Sequence, residues 1–440
     1  MLEAARRLAN ETPPDRNRVV DLMRVLSILV VVLGHWLMAA VKVEDGELVP
    51  GHLLQLAEWT HPLTWIFQVM PVFFFVGGFS NARSWRSARL RGEPYGSWLR
   101  ARLRRLLMPV LPLLVVWGVF GWVALQAGVP WETLRLGSQT ALVPTWFLAA
   151  YVVIVLLAPV ALAVWERFGW WSVTVGVALA ALTDVVSIAG DVTWVGFLNY
   201  LFVWGTVHQV GYAWVDGRIE GSARRWGLLA LGFLVTLVLV WLGPYPVAMV
   251  GLDTAELTNS YPPRVTLAFL GLFQAGLVLV AEPRLQRWMQ RPLPWLFVVS
   301  ISVQIMTIYL WHLTAMVIVI GLSMLGGGVG LGIEPLSGAW WATRPLWFLV
   351  VGAMTSVLVT QLRRFERPPP ESRPAPPAWR PVLAALLGCG GLGLLAAIGI
   401  ADEDGLNGII LTLPFVGVIL GGVADVRRWL GRGPVRTSAG

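Results

Sequence analysis

The sequence predicts an all-α polytopic membrane protein of about 12 transmembrane helices, a ten-helix core followed by a C-terminal two-helix hairpin. Three observations carry this. Hydrophobic residues make up 56% of the chain and charged residues 13%, where a soluble domain carries roughly 25% charged residues; mean hydropathy is +0.68. The apolar residues come in runs of about 18 to 25, long enough to cross ~30 Å of hydrocarbon as a helix. The runs are continuous and do not alternate. Alternation would mark a barrel, the only other architecture that satisfies its backbone without water.

The spans are expected at 19–41, 63–82, 106–126, 145–165, 170–189, 194–214, 226–242, 265–281, 295–325 and 345–362, with a terminal pair at 382–400 and 408–424. The first run follows a polar, Arg-bearing segment. It is too long for a signal core and ends on no small-residue cleavage site, so it is expected to stay as the first span. Residues 367–381 read RPPPESRPAPPAWRP, too rich in proline for a helix, and predict an extended linker. The expected division is therefore a transmembrane domain at 1–366, the linker, and a hairpin with a basic tail at 382–440. The absence of an obvious internal repeat disfavours transporters built from inverted repeats.

Charge sets the orientation. The formal net charge is +8, and Lys42 is the only lysine. The arginines cluster before span one, in the loop from Arg83 to Arg105, and in every second loop after it. The alternate loops carry Glu44, Asp45, Glu47, Asp253, Glu256, Asp402, Glu403 and Asp404. This is the positive-inside pattern, and with an even span count it predicts both termini in the cytoplasm. It accounts for the basic balance without nucleic acid. The single cysteine, Cys389, excludes an internal disulfide and a Cys/His metal cluster. Lying among Gly388, Gly390 and Gly391, it reads as a close helix contact.

Ionisable residues inside spans are costly and mark function. Span one holds Asp21, Arg24 and His35 in DLMRVLSILVVVLGHW. Eleven helical steps return Arg24 and His35 to nearly one face, about 16 Å apart along the axis. Asp21 lies one turn from Arg24 and within its reach; a topological anchor with its counter-ion is the plainer reading of that pair. Span two contains MPVFFFVGGFSNARSW, in which Gly77 and Gly78 permit close helix contact and Arg83 ends the span. Span four opens PTWFL, with Trp146 expected at the outer interface. Span six carries Asn199, His208 and Gln209, and span nine carries Tyr309 and His312 in IYLWHLTA. Counted from the cytoplasm, His35 and His312 both fall past mid-membrane.

The Arg–x10–His spacing, FFFVGGF, the basic segment ending ARLRRLLMP, PTWFL and YLWH occur in one order across roughly residues 17 to 366. In this the chain resembles the integral-membrane acyltransferase 3 family of bacteria, its actinobacterial members most closely. The longer acidic signature that often follows the Trp is absent, since Phe147 and Leu148 follow Trp146. The resemblance implies O-acyl transfer in the cytoplasmic membrane, from cytoplasmic acyl-CoA to a hydroxyl of a cell-envelope glycan or lipid, with no further cofactor. His35 is then the general base, with an acyl-histidine as the alternative, and Asp21 and Arg24 support it. Arg24, Arg83, Arg102 and Arg105 would attract the donor phosphates, although loop arginines also anchor topology. Tyr309, His312, Trp146, Asn199, His208 and Gln209 are the acceptor-side or supporting candidates. A homo-oligomer is compatible with this reading. The rival is a proton-coupled secondary transporter, which also uses buried His, Arg and Asp.

Overall fold

The computed structural model describes residues 6–7, 9–251, 257–366 and 374–423. It is helical almost throughout, with two short antiparallel hairpins, β1 (Lys42–Glu44) with β2 (Glu47–Val49) and β3 (Ala401–Asp402) with β4 (Gly405–Leu406). The β1–β2 turn is Asp45–Gly46, both at positive φ (51° and 83°), the sequence a tight two-residue hairpin requires. The principal helices are α1 (Arg18–Met38), α2 (Met70–Leu90), α3 (Tyr95–Leu107), α4 (Leu111–Gln126), α5 (Trp131–Phe168), α6 (Trp170–Ile188) and α7 (Asn199–Val215). They continue with α8 (Ser222–Leu242), α9 (Val265–Met289), α10 (Pro292–Ser302), α11 (Ile305–Leu325), α12 (Gly338–Leu362), α13 (Trp379–Ile398) and α14 (Gly408–Leu420).

Every predicted span corresponds to a helix, but several boundaries differ. Among the described residues nine helical segments are long and apolar enough to cross a membrane, and ten if α3 and α4, bent by 42°, act as one. The helix of span six has 17 residues and that of span twelve has 13. At 1.5 Å per residue the latter covers only about 20 Å; the rest of that prediction, from Ala424, and the basic tail lie outside the described residues. Span nine is broken at Val303–Gln304 into α10 and α11. The basic stretch 83–105 is mostly helical: α2 continues to Leu90 and α3 begins at Tyr95. Hydropathy misses α3 because it is amphipathic, burying Trp98, Leu99, Leu103 and Leu107 while its arginines occupy other positions. Of the linker, 367–373 lie outside the described residues, as do Asp253 and Glu256; residues 374–377 are non-helical, and α13 takes in Pro381 near its start, where the missing N–H costs little.

The chain forms two compact units. The first comprises residues 1–85, 157–305 and 318–356, the second 86–156, 306–317 and 357–440. In the first unit, α2 and α7 cross where both carry glycine. A Cβ on Gly78 would stand 1.8 Å from the His208 carbonyl oxygen, and one on Gly211 2.2 Å from that of Phe75. The approach lets Phe74 stack on Trp204 and Phe75 on Trp214, with centroids 4.7 and 5.0 Å apart. In the second unit, α13 packs on α3 and α14. Gly388 faces Leu107, and Gly391 faces Pro414. The Cys389 thiol donates to the Ala149 carbonyl at 3.3 Å, so the cysteine does sit in a close helix contact. Thr145 Oγ1 donates to the Leu392 carbonyl at 3.0 Å.

Candidate functional site

In the first unit the site is built on α1. Asn17 caps it, its side-chain oxygen accepting from Val19 N at 3.0 Å and Val20 N at 3.4 Å, which satisfies orphan amides of the first turn. The same residue donates to Glu282 at 3.3 Å and accepts from Gln286 at 2.9 Å, so the cap also fastens α1 to α9. Glu282 is further held by Trp214 Nε1 at 3.0 Å and Arg225 Nη2 at 2.9 Å. These groups border a cavity of about 700 Å³ that Phe79, Trp226 and Gln286 also line.

Asp21 is buried, but Arg24 is not its main partner. Arg16 engages both carboxylate oxygens, Nε at 2.6 Å and Nη2 at 3.0 Å, while Arg24 Nη1 stands 3.5 Å away. The carboxylate in turn holds the Arg16 guanidinium pKa above its ordinary value. Arg24 is instead positioned by Ser80 Oγ on α2, at 3.0 Å from Nη2, and Ser80 donates to the Val76 carbonyl. Arg24 thus keeps part of its fork uncommitted, which spacing alone does not reveal. Arg83 binds the carboxylate and the carbonyl of Asp15.

His35 lies in the last turn of α1, half-buried, and its carbonyl accepts from Ala39 N. The backbone of His52 bridges that of Ala39, one turn beyond His35. Trp36 is buried against Phe348 at 6.3 Å, and its carbonyl accepts from Trp347 Nε1 at 2.8 Å.

The three candidates on α7 separate. Asn199 donates to Asp184 at 2.8 Å. His208 Nε2 pairs with Asn81 of α2 at 3.1 Å. Gln209 accepts from Ser172 of α6 at 2.8 Å. Sequence reasoning missed Asp184, although it is an acid within an apolar run. It is 1% exposed and receives Asn199, Arg264 Nη1 (3.3 Å), Tyr245 OH (2.9 Å) and Val265 N (2.8 Å). This is the full complement a buried carboxylate needs, and it ties the start of α9 to α6.

In the second unit the PTWFL and YLWH segments meet. Tyr309 OH donates to the Pro144 carbonyl at 2.9 Å, and its ring lies edge-on to Phe147 at 5.9 Å. His312 is fully buried, with Nδ1 2.6 Å from the Tyr309 carbonyl. Thr314 accepts from Trp117 Nε1 at 3.1 Å. Trp146 does not begin its helix: α5 starts at Trp131, so the residue lies mid-helix beside Phe147. The polar stretch LRLGSQT lowers the hydropathy without interrupting the helix. Glu366 caps α11, accepting from Met306 N at 2.8 Å, Thr307 N at 2.7 Å and the Thr307 hydroxyl. Arg102 lies over the Trp98 ring at 5.6 Å, and Arg105 is exposed on α3. Among the described residues no group of three or more His, Cys, Asp or Glu side chains is placed to hold a metal ion.

The sequence profile of the acyltransferase 3 family, described as an acyltransferase domain, matches residues 17–362. No curated protein and no solved structure matches the chain. The match spans most of the sequence and contains α1 through α12, with Asp21, Arg24 and His35 of α1 and the paired PTWFL and YLWH segments. The chain therefore belongs to the acyltransferase 3 family and is a multi-pass membrane acyltransferase acting on groups other than amino-acyl groups.

Proposed function

We propose that the protein takes an acyl group from cytoplasmic acyl-CoA and esterifies a hydroxyl of a cell-envelope glycan or lipid. It would do so in the cytoplasmic membrane with both termini on the cytoplasmic side. The observation that carries this reading is α1 itself. It bears at one end a guanidinium held by Ser80 and only loosely paired with Asp21, and at the other an imidazole in its last turn.

In this reading Arg24 attracts the phosphate-bearing donor, with Arg83, Arg102 and Arg105 contributing positive potential. Ser80 keeps Arg24 oriented, and Asp21, bound by Arg16, does not neutralise it. His35 accepts the proton of the acceptor hydroxyl as its oxygen attacks the thioester carbonyl. The tetrahedral intermediate collapses with cleavage of the carbon–sulfur bond. The departing CoA thiolate takes the proton back from the imidazolium, so the base is regenerated and the charge balances. Imidazole suits both halves because its ordinary pKa lies near neutrality. Tyr309, His312 and Trp146 are supporting residues of the second unit. Asn199, His208 and Gln209 support the first through helix-to-helix hydrogen bonds.

The test separates base from packing. His35→Ala is expected to lower acyl transfer by ~10²–10⁴-fold with the thermal midpoint near that of the wild type. Arg24→Ala is expected to weaken acyl-CoA binding, and Arg24→Lys to restore part of it. Transfer by His35→Ala at near wild-type rate would defeat the assignment of the base.

A further inference from the structure

The buried charges of the first unit are nearly all ion-paired. Asp21 has Arg16 and Arg24, Glu282 has Arg225, and Asp184 has Arg264. Lys42, which follows α1, binds Glu44 and Glu334. Arg344, on the second turn of α12, is the exception. It is 9% exposed, and no carboxylate lies within ion-pair distance of it among the described residues. Its guanidinium stands 4.1 Å from the Trp340 ring centroid and 5.3 Å from that of Trp347. Ring faces offset only part of the hydration that a buried cation loses.

A second, independent observation falls at the same place. Arg344 Nε is buried with no hydrogen-bond acceptor, and so is Trp340 Nε1. Arg225 and Arg264 also keep an unpaired Nε but have a carboxylate beside them; at Arg344 the unpaired donor belongs to a cation with ring faces for neighbours. A phosphate or carboxylate accepts from several donors at once and supplies the missing charge. The location ties this pair to the reacting end of α1. Trp340 packs with Leu37, Met38 and Ala40, and Trp347 donates to the carbonyl of Trp36, the neighbour of His35.

We propose that Arg344 and the Trp340 indole N–H bind an anionic group of the acyl acceptor, a phosphate or a carboxylate, beside the end of α1 that carries His35. The acceptor is accordingly an acidic hydroxyl compound, and a neutral sugar is a poorer one. This rests on the reading of His35 as the base.

Glucose 6-phosphate is the probe, with glucose as its neutral counterpart. Its binding to the full-length protein in neutral detergent is followed by ³¹P line broadening, with excess coenzyme A present to occupy the donor-side arginines. The expected result is broadening that glucuronate reverses and glucose does not. Arg344→Gln should weaken binding by about 10- to 100-fold, the range for a charged hydrogen bond. Arg344→Lys should retain part of the affinity, and Trp340→Phe should lose several-fold, on the order of one hydrogen bond. No broadening with the wild type, broadening that coenzyme A abolishes, or unchanged affinity in Arg344→Gln would overturn the proposal. If Arg344→Gln fails to fold, Arg344→Lys and Trp340→Phe decide it. Acyl transfer from acetyl-CoA to both sugars, measured in parallel, separates the two readings. Arg344-dependent binding without transfer supports the anion seat and counts against the proposed transfer from acyl-CoA with His35 as base. His35-dependent transfer with no preference for the anionic sugar, alike in wild type and Arg344→Gln, overturns the seat alone.

Discussion

Substituting Gly78 by alanine tests how the helices of the first unit hold their polar residues. The added Cβ would stand 1.8 Å from the His208 carbonyl oxygen, against backbone that has no rotamer to yield. An ordinary contact needs roughly 3.4 Å, so α2 and α7 must part by about 1.5 Å. Overpacking of this kind costs about 1–3 kcal/mol. The separation also stretches the 3.1 Å Asn81–His208 bond beyond hydrogen-bonding range, which adds about 1 kcal/mol. A total of about 2–4 kcal/mol should lower the thermal midpoint in detergent by roughly 5 °C or more, read by size-exclusion recovery after heating. Gly211→Ala should act similarly, because its Cβ would meet the Phe75 carbonyl at 2.2 Å. The double variant should cost less than the sum of the singles, since helices already parted accept a second methyl more easily. A Gly78→Ala protein with the wild-type midpoint, or strict additivity of the pair, would refute the close crossing.

Four further outcomes are expected. Asp184→Asn places amide hydrogens where Tyr245 OH and Val265 N donate and leaves Arg264 without its counter-ion; a loss of about 3 kcal/mol should appear as a lower midpoint, and an unchanged one would contradict the four-donor geometry. Glu366→Ala should destabilise by about 1–2 kcal/mol by uncapping α11, and Glu366→Gln by less, in chemical unfolding curves; equal effects would assign no role to the carboxylate charge. Truncation after Glu366 should lower stability, because it removes Leu392 and Leu395, both fully buried, and the partners of Thr145 and Gln139; a truncated protein as stable as the full chain would show that this packing contributes nothing. Single cysteines at Ser87 and Gly46 in a Cys389→Ser background should label from opposite sides with an impermeant thiol reagent, and labelling from one side would refute the orientation.

The polar knots explain why most of the site candidates cannot be treated as one cluster. Asn199, His208 and Gln209 lie within eleven residues of one another, yet each is spent on a different neighbour: Asp184, Asn81 and Ser172. Tyr309 and His312, by contrast, touch each other, with His312 Nδ1 at 2.6 Å from the Tyr309 carbonyl and the two rings 6.1 Å apart. The polar stripe of α7 is thus a set of separate fastenings, because each group must find a partner inside hydrocarbon.

What the sequence by itself determined is whatever depends on local period and composition. Continuous apolar runs have one backbone solution in a bilayer, so the all-helical class and a helix at each predicted span were legible, although nine or ten of the helical segments among the described residues are long and apolar enough to cross a membrane. So were the shared face of Arg24 and His35, which follows from 3.6 residues per turn, and the close approach at Gly78. The Asp45–Gly46 hairpin, the amphipathic α3 and the break before α11 escaped, since hydropathy averaged over a window sees neither a short turn nor a one-sided helix. Only the tertiary structure decided the partners: Arg16 for Asp21, Ser80 for Arg24, Asn81 for His208, four donors for Asp184, and two indole rings for Arg344. Most of these partners lie tens to hundreds of residues apart in the chain. Their pairing is set by which helix faces pack together, and no periodicity within one helix carries that information.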